Sequence, residues 1–161
     1  MIEILAQIKK EKPFEVNSWL KRCQDWKQKY PVVLPKYKES KNTVNSFYFI
    51  KVLSEKLDEK AVIVTDMGTS FTCTMQTFET KLGQRLSTSS GHASMGFGLP
   101  GAVGACCGNN RKDTICITGD GGLQMNIQEL QTIVHCNLPI KLFVLNNNGY
   151  LTIKATQQNH F

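Results

Sequence analysis

No stretch of this 161-residue sequence is apolar for long enough to cross a membrane, since a spanning helix needs about 20 consecutive apolar residues. Residues 1–13 mix acidic and basic side chains around a short apolar patch and lack a small-residue cleavage site, which is not the pattern of a signal peptide. Internal repeats and low-complexity segments are also missing. These absences favour a cytoplasmic protein without a membrane partner.

Cysteine is present without any pattern that would give it a metal-binding or redox role. The chain has six cysteines but no C-x-x-C pair and no histidine at the spacing of a zinc site. Several lie inside apolar strand or helix patterns, where cysteine behaves as a small hydrophobic residue. We therefore expect free thiols in a reducing compartment at Cys23, Cys73, Cys106, Cys107, Cys116 and Cys136.

Acidic residues are too few to balance the basic ones, and the formal net charge is +6. The excess falls in residues 1–60, which hold 13 Lys and Arg against 8 Asp and Glu, whereas residues 61–161 hold 6 against 5. A nucleic-acid surface would interleave basic residues with stacking aromatics on one face, but here they are scattered among acids, tryptophan and proline. The charge therefore indicates a solvated or interdomain surface, and we expect no nucleic-acid partner.

From residue 42 onward the chain alternates short apolar strands with amphipathic helices. The apolar runs at 61–65, 114–118 and 140–145 are typical of strands in a parallel sheet that is covered on both faces, and residues 85–90 form a weaker edge strand. This alternation predicts an α/β fold with a parallel sheet and helices on both faces. Helices are expected at 44–57 (capped by Asn42 or Thr43), 95–108 and 123–136.

Residues 1–41 differ from the rest of the chain. A short helix with Trp19, Cys23 and Trp26 at i, i+4 and i+7 presents one apolar face, and two prolines at 31 and 35 then interrupt helical geometry. Such a helix needs a larger partner to pack on. We therefore interpret 1–41 as a connector from a preceding domain and 42–161 as the α/β domain.

Each predicted parallel strand is followed by a turn rich in Gly, Thr, Ser, Asp or Asn. The carboxyl ends of parallel strands meet at one edge of the sheet, and ligands of open parallel sheets bind there. Asp120 and Asn147 lie 27 positions apart, on either side of one β-α-β crossover that brings their turns side by side. A carboxylate, an amide oxygen and a loop carbonyl near Gly149 suit Mg²⁺, and the exposed glycine backbone suits a phosphate or diphosphate.

A second interpretation assigns the same region to a dinucleotide. Residues 96–101 match the G-x-G-x-x-G fingerprint, and Asp120 follows Gly101 by 19 residues at a strand end, as the ribose-binding acid would. Those glycines should directly follow an apolar strand, yet residues 85–91 are polar and Pro100 lies inside the motif. A nicotinamide cofactor is therefore the less favoured alternative.

Longer stretches of the sequence resemble one family. G-D-G followed about 27 positions later by N-N resembles the thiamine-diphosphate motif of the acetolactate synthase and pyruvate decarboxylase family, and so do residues 90–105 and 117–130. Residues 19–31 are similar to the segment that precedes the family's diphosphate-binding domain. The resemblance implies that 1–41 connects from a middle domain and that 42–161 is a C-terminally incomplete thiamine-diphosphate-binding domain.

The same resemblance implies a set of site residues. Mg²⁺ would be held by the side chains of Asp120 and Asn147 and by the carbonyl of Gly149. Met95 would support thiamine in the bent shape that lets one part of the cofactor deprotonate another, and the carbonyl of Ala93 would accept from the aminopyrimidine. The other residues expected at the cofactor are Thr69, Ser70, Gly121, Gly122 and Tyr150, with Asn147 contacting both metal and cofactor.

The resemblance also indicates what a complete enzyme would need from elsewhere. In this family a glutamate of a pyrimidine-binding domain, in the same or a partner subunit, activates the cofactor, and no acid here lies in a matching motif. We therefore expect no catalytic residue in this chain and a homodimer or tetramer in the complete enzyme. Residues 151–153, Leu-Thr-Ile, stand where pyruvate decarboxylase relatives carry a proton-handling glutamate, which favours the acetolactate-synthase-like branch.

The activity implied is decarboxylation of a 2-keto acid followed by transfer of the product to an acceptor, with the chain alone inactive. The alternative is a non-catalytic subunit that supplies the diphosphate half of a split enzyme.

Overall fold

The computed structural model describes residues 17–161, which fall into two units, one ending at Val32 and the other spanning Val33–Phe161. Residues 1–16, on which the interpretation of the N-terminus rests, lie outside the described residues. In the first unit, helix α1 spans Asn17–Lys29. Trp19 and Trp26 meet edge to face on it, with ring centroids 5.8 Å apart, which confirms the predicted helix and its aromatic face.

The second unit is built on a four-stranded sheet with the order β2-β1-β3-β4. β1 spans Val62–Thr65, β2 Arg85–Ser87, β3 Thr114–Gly119 and β4 Ile140–Leu145. All three strand pairs are parallel, so the predicted sheet type is confirmed. The weak strand at 85–90 is indeed an edge strand, shorter than predicted.

Helices connect these strands. They are α2 Ser46–Lys56, α3 Thr69–Thr77, α4 Gly98–Gly108, α5 Asp120–Met125, α6 Glu129–His135 and α7 Leu151–His160, and a 3-10 helix spans Pro35–Lys38. Within residues 17–161, none of the helices combines the length and the apolar character needed to cross a bilayer.

Two hydrophobic cores form, one on each face of the sheet. Successive strand residues point to opposite faces, so Ile63 of β1 packs with Ile50 of α2 while its neighbour Val64 packs with Leu99 of α4. The amphipathic helix predicted at 44–57 turns its apolar residues to the first of these cores, which contains Phe47, Ile50, Leu53 and Leu57. Covered faces on both sides explain why the strands are short apolar runs without alternation.

The helix predicted at 44–57 begins later than expected and has a different cap. Asn45 caps it, because its side-chain oxygen accepts two backbone N–H groups of the first turn at 3.0 and 3.2 Å. The hydroxyl of Thr43 instead pairs with that of Ser40 at 2.8 Å, so the cap predicted at Asn42 or Thr43 is wrong.

The single helix predicted at 123–136 is in fact two helices, α5 and α6, and α5 already begins at Asp120. The chain leaves helical geometry at Asn126, whose φ is −137°. The Asn126 side chain donates to the carbonyl of Gly96 at 2.8 Å, a contact with a distant loop that no local pattern encodes. The helix predicted from residue 95 begins at Gly98, because Gly96 has a left-handed φ of +83°.

All six cysteines are free thiols, as predicted. Cys116 lies fully buried at the centre of β3. Burial, and in second place the negative charge of Asp66, raise the pKa of its thiol to about 12. The thiol of the folded chain therefore stays protonated at pH values where an unfolded chain, with an ordinary pKa of 9.0, ionises.

This difference predicts a loss of stability in alkali. Because the unfolded chain releases the Cys116 proton first, the free energy of unfolding falls as pH rises above 9.0, by up to about 1.4 kcal/mol per pH unit from this group. Urea titrations on both sides of that pH measure the slope. Cys116→Ala should lose this contribution, whereas Cys107→Ala, at an exposed thiol, should keep it. Equal slopes in the two variants would contradict the assignment.

Candidate functional site

The carboxyl ends of β1, β3 and β4 meet at one edge of the sheet and border a cavity of about 320 Å³. The predicted site residues that line it are Thr69, Ala93, Met95, Asp120, Gly121, Gly122, Asn147, Gly149 and Tyr150. Ser70 is the exception, because its side chain is fully buried and its hydroxyl donates to the carbonyl of Met67 at 2.9 Å. The structure thus brings the predicted residues together but keeps the Ser70 hydroxyl out of the cavity.

Asp120 and Gly149 are linked directly across the cavity. The backbone N–H of Gly149 donates to Oδ2 of Asp120 at 2.7 Å. The turn that allows this is left-handed at both Asn148 and Gly149, with φ of 61° and 121°. Lys154 of α7 holds the same turn, since its ammonium donates to the carbonyl of Asn148 at 2.9 Å. The carboxylate and the N-N-N-G turn are therefore one unit.

Asn147 is half-buried and only partly satisfied. Its side-chain nitrogen donates to the hydroxyl of Thr69 at 3.3 Å, but its buried oxygen Oδ1 accepts no hydrogen bond from any described residue. Leaving a buried acceptor unpaired costs about 1–3 kcal/mol. An amide oxygen in that state, in a cavity that Asp120 and Gly149 also line, belongs to a donor set that fits a hard cation such as Mg²⁺.

The glycines of the turn after β3 are required by close packing. A Cβ on Gly121 would lie 2.5 Å from Cε1 of Tyr150, whose hydroxyl donates to the Gly121 carbonyl at 3.4 Å. A Cβ on Gly122 would lie 2.6 Å from Oδ2 of Asp66. Any larger residue at either position would displace a neighbour, so the backbone of this turn stays close to the cavity.

Ala93 and Met95 approach the cavity from the segment between β2 and α4. Ala93 has a left-handed φ of +53°, which is strained for alanine and free of cost for glycine. Its backbone N–H donates to the carbonyl of Ser89 at 2.8 Å, and this turn holds the strained geometry. Met95 keeps 39% of its surface exposed, so its side chain is available to a ligand in the cavity.

Asp66 was not predicted as a site residue. It follows β1, its side chain is 1% exposed, and its carboxylate accepts hydrogen bonds from three segments around the cavity. The signal in the sequence was an acid placed directly after a fully apolar strand. Nothing in the local pattern tells whether such an acid faces solvent or the interior.

Among residues 17–161 no cluster of three or more acidic, histidine or cysteine side chains is placed to hold a metal ion. A cation at this edge would therefore depend on amide and carbonyl oxygens in addition to Asp120.

Residues 66–161 match the family described as thiamine pyrophosphate enzyme, C-terminal TPP binding domain. The chain belongs to this family. Its cofactor is thiamine diphosphate, and the α/β parallel fold predicted from the sequence is confirmed. The matched segment begins at Asp66 and contains every predicted site residue.

Curated relatives agree with the family. The chain is 37% identical to the acetolactate synthase large subunit of Pyropia yezoensis over 146 residues, which are 91% of this chain and 24% of that protein. It is 36% identical to acetolactate synthase, chloroplastic, of Arabidopsis thaliana over 147 residues, 91% of this chain and 22% of that protein. Against acetolactate synthase isozyme 1 large subunit of Escherichia coli (strain K12) it is 32% identical over 143 residues, 89% of this chain and 25% of that protein. The chain thus spans about a quarter of the length of these relatives.

Membership of this family argues against the alternative interpretation of a nicotinamide cofactor. The geometry agrees, because the strand before Gly96 ends at Ser87, well before the glycines that should follow it directly. Pro100 lies in the first turn of α4, where the backbone N–H that proline lacks would have no partner within the helix. The proline is therefore compatible with this helix.

The strain at Ala93 can be measured. Replacing Ala93 with glycine removes a left-handed alanine, so Ala93→Gly should raise the free energy of unfolding by about 1 kcal/mol or less, after the greater flexibility of the unfolded glycine chain is subtracted. Urea unfolding measures this difference.

Ala155→Gly is the matched control, because Ala155 is an exposed residue of helix α7. There the same change should lower the free energy of unfolding by about 0.5–1 kcal/mol. Losses of equal size at both positions would show that Ala93 is not strained.

Proposed function

We propose that this chain binds thiamine diphosphate and Mg²⁺ in the cavity at the carboxyl edge of the sheet, as part of an acetolactate-synthase-like enzyme that acts on 2-keto acids. The single observation that supports the metal is the buried, unpaired Oδ1 of Asn147, a residue that lines the same cavity as Asp120. Membership of the thiamine pyrophosphate enzyme family supports thiamine diphosphate as the organic cofactor. The relatives' name, acetolactate synthase, supports the substrate class.

The proposed metal ligands are Asp120, Asn147 and the carbonyl of Gly149. Oδ2 of Asp120 already accepts the Gly149 N–H, which leaves Oδ1 for a cation. The Gly149 carbonyl accepts one N–H, from Leu151 at 3.0 Å, and a carbonyl oxygen has a second lone pair. Three oxygens from one rigid pair of turns leave further positions for water and diphosphate oxygens, as Mg²⁺ prefers.

The remaining predicted residues would hold the organic parts of the cofactor. Gly121 and Gly122 keep the backbone of their turn close to the cavity, where N–H groups can meet a diphosphate. Met95 and the Ala93 carbonyl would contact the thiamine end. Bound thiamine diphosphate would supply a nucleophilic thiazolium carbon, and its cationic ring would stabilise the negative charge left when a 2-keto acid loses carbon dioxide.

The groups that would start this chemistry are not among the residues described around the cavity. Asp120 is the only acid that lines it there, and that carboxylate is committed to the turn and to the metal. We therefore propose that a pyrimidine-binding domain of the same or a partner subunit contributes the activating acid, within a homodimer or tetramer. The 161-residue chain should then bind cofactor without catalysing turnover. A cytoplasmic location stays a prediction, since some relatives are named as chloroplastic.

Calorimetric titration of the chain with thiamine diphosphate tests the metal ligands. Binding should require Mg²⁺, and Asp120→Ala should weaken it by at least about 10-fold, because removing a ligand costs no less than removing its supporting partner. The matched control is Asp113→Ala, at an exposed carboxylate just before β3 that is paired with Lys141. Binding of NAD without Mg²⁺, or unchanged affinity in Asp120→Ala, would contradict the proposal.

Asn147→Leu separates stability from binding. The change removes the buried unpaired oxygen together with the bond to Thr69, so the free energy of unfolding without Mg²⁺ should stay unchanged or rise by up to about 1 kcal/mol. The increase in melting temperature that Mg²⁺ and thiamine diphosphate give the unmodified chain should disappear. A leucine variant that keeps this increase would exclude Asn147 as a ligand.

A further inference from the structure

Asp66 is an acid whose burial the proposed metal and diphosphate contacts do not explain. Its side chain is 1% exposed, and no described lysine, arginine or histidine forms an ion pair with it. Removing a carboxylate from water without an opposite charge is costly unless several hydrogen bonds replace the lost hydration. The hydrogen bonds of the Asp66 carboxylate therefore indicate its structural role.

Three donors surround this carboxylate. Oδ1 accepts the backbone N–H of Met67 at 2.7 Å and that of Gly96 at 3.0 Å, while Oδ2 accepts the hydroxyl of Thr118 at 2.8 Å. Met67 follows β1, Gly96 lies just before α4, and Thr118 lies near the end of β3. One side chain thus joins three segments that are far apart in sequence.

Two glycines leave the space that Asp66 fills. A Cβ on Gly98 would lie 2.8 Å from the Asp66 Cβ, and a Cβ on Gly122 would lie 2.6 Å from Oδ2. The first turns of α4 and α5 therefore both pack against this one aspartate.

Both backbone polar groups of Gly96 form hydrogen bonds with side chains. Its N–H donates to Asp66, and its carbonyl accepts from the side chain of Asn126 at 2.8 Å. Its φ is +83°, and an added Cβ would lie 2.8 Å from the Met125 Cβ, so a residue with a side chain does not fit here without displacing its neighbours. The segment that carries Met95 is therefore fixed at its last residue relative to the Asp120–Gly122 turn.

We propose that Asp66 is a positioning residue, which sets the distance between the segment carrying Ala93 and Met95 and the turn carrying Asp120 to Gly122. This inference rests on the proposed function, because the first segment would contact thiamine and the second the diphosphate. Loss of Asp66 should loosen the first segment. The Asp120 turn should keep its geometry, since it remains bonded to Gly149. Loss of Asp66 should therefore weaken binding of thiamine diphosphate but not binding of diphosphate alone.

Two probes distinguish these halves: thiamine diphosphate and inorganic diphosphate, each titrated calorimetrically into the 161-residue chain with Mg²⁺. Asp66→Ala should weaken binding of thiamine diphosphate by about 10- to 100-fold, the range found when supporting partners of a site are removed. Binding of inorganic diphosphate should stay unchanged. A carboxylate that only stabilises the fold would weaken both probes alike.

Asp66→Asn is the conservative variant and should restore binding of thiamine diphosphate. The amide oxygen can keep both backbone N–H groups, and the amide nitrogen can donate to the Thr118 hydroxyl oxygen. The Thr118 hydroxyl would then donate to the carbonyl of Gly119, which is already 3.2 Å away. Rescue by asparagine therefore supports the hydrogen-bond geometry as the cause.

Circular dichroism identifies any variant that fails to fold. If Asp66→Ala does not fold, Thr118→Val decides, since it removes the Oδ2 donor and leaves Asp66 in place; a selective loss of thiamine diphosphate supports the inference. Equal losses for both probes, or no loss for either, would overturn it. Failure of the unmodified chain to bind thiamine diphosphate would reject the proposed function itself, so the two failures are distinguishable.

Discussion

Parallel pairing of β3 with β1 on one side and β4 on the other is the constraint on which the rest of the structure depends. Val64, Cys116 and Leu142 stand side by side across the three strands, so all of them end at the same edge. The turns that follow must then share that edge. Without this pairing Asp120 and Gly149 would have no reason to meet, and their hydrogen bond of 2.7 Å follows from it.

Three residues near the carboxyl ends of the strands have conformations or environments that reduce the stability of the folded chain. Asn147 keeps a buried oxygen unpaired, Ala93 holds a left-handed backbone, and Asp66 is buried without an opposite charge. Each cost is of the order of 1–3 kcal/mol where it has been measured in proteins. Asn147 and Ala93 line the cavity, and such costs persist in a folded chain only where the surrounding structure or a ligand compensates for them.

The chain corresponds to one part of its longer curated relatives. It belongs to the thiamine pyrophosphate enzyme C-terminal domain family and spans about a quarter of the length of its curated relatives. The described cavity is lined by Asp120, Asn147, Gly121 and Gly122, and Asp120 is the only acid among its described lining residues. Under the proposed function, this unit would hold the cofactor and another domain would supply the activating acid.

Sequence alone was enough to predict the strands and the shared sheet edge at which Asp120 and Asn147 lie, because buried parallel strands are short apolar runs and their turns must follow them directly. β4 was predicted residue for residue at 140–145. Only the tertiary structure decided the features that depend on distant contacts. The break at Asn126 follows from its bond to Gly96, and the Ser70 hydroxyl turns away from the cavity to its own helix turn. The role of Asp66 belongs to the same class, since three donors from three segments meet only once the chain has folded.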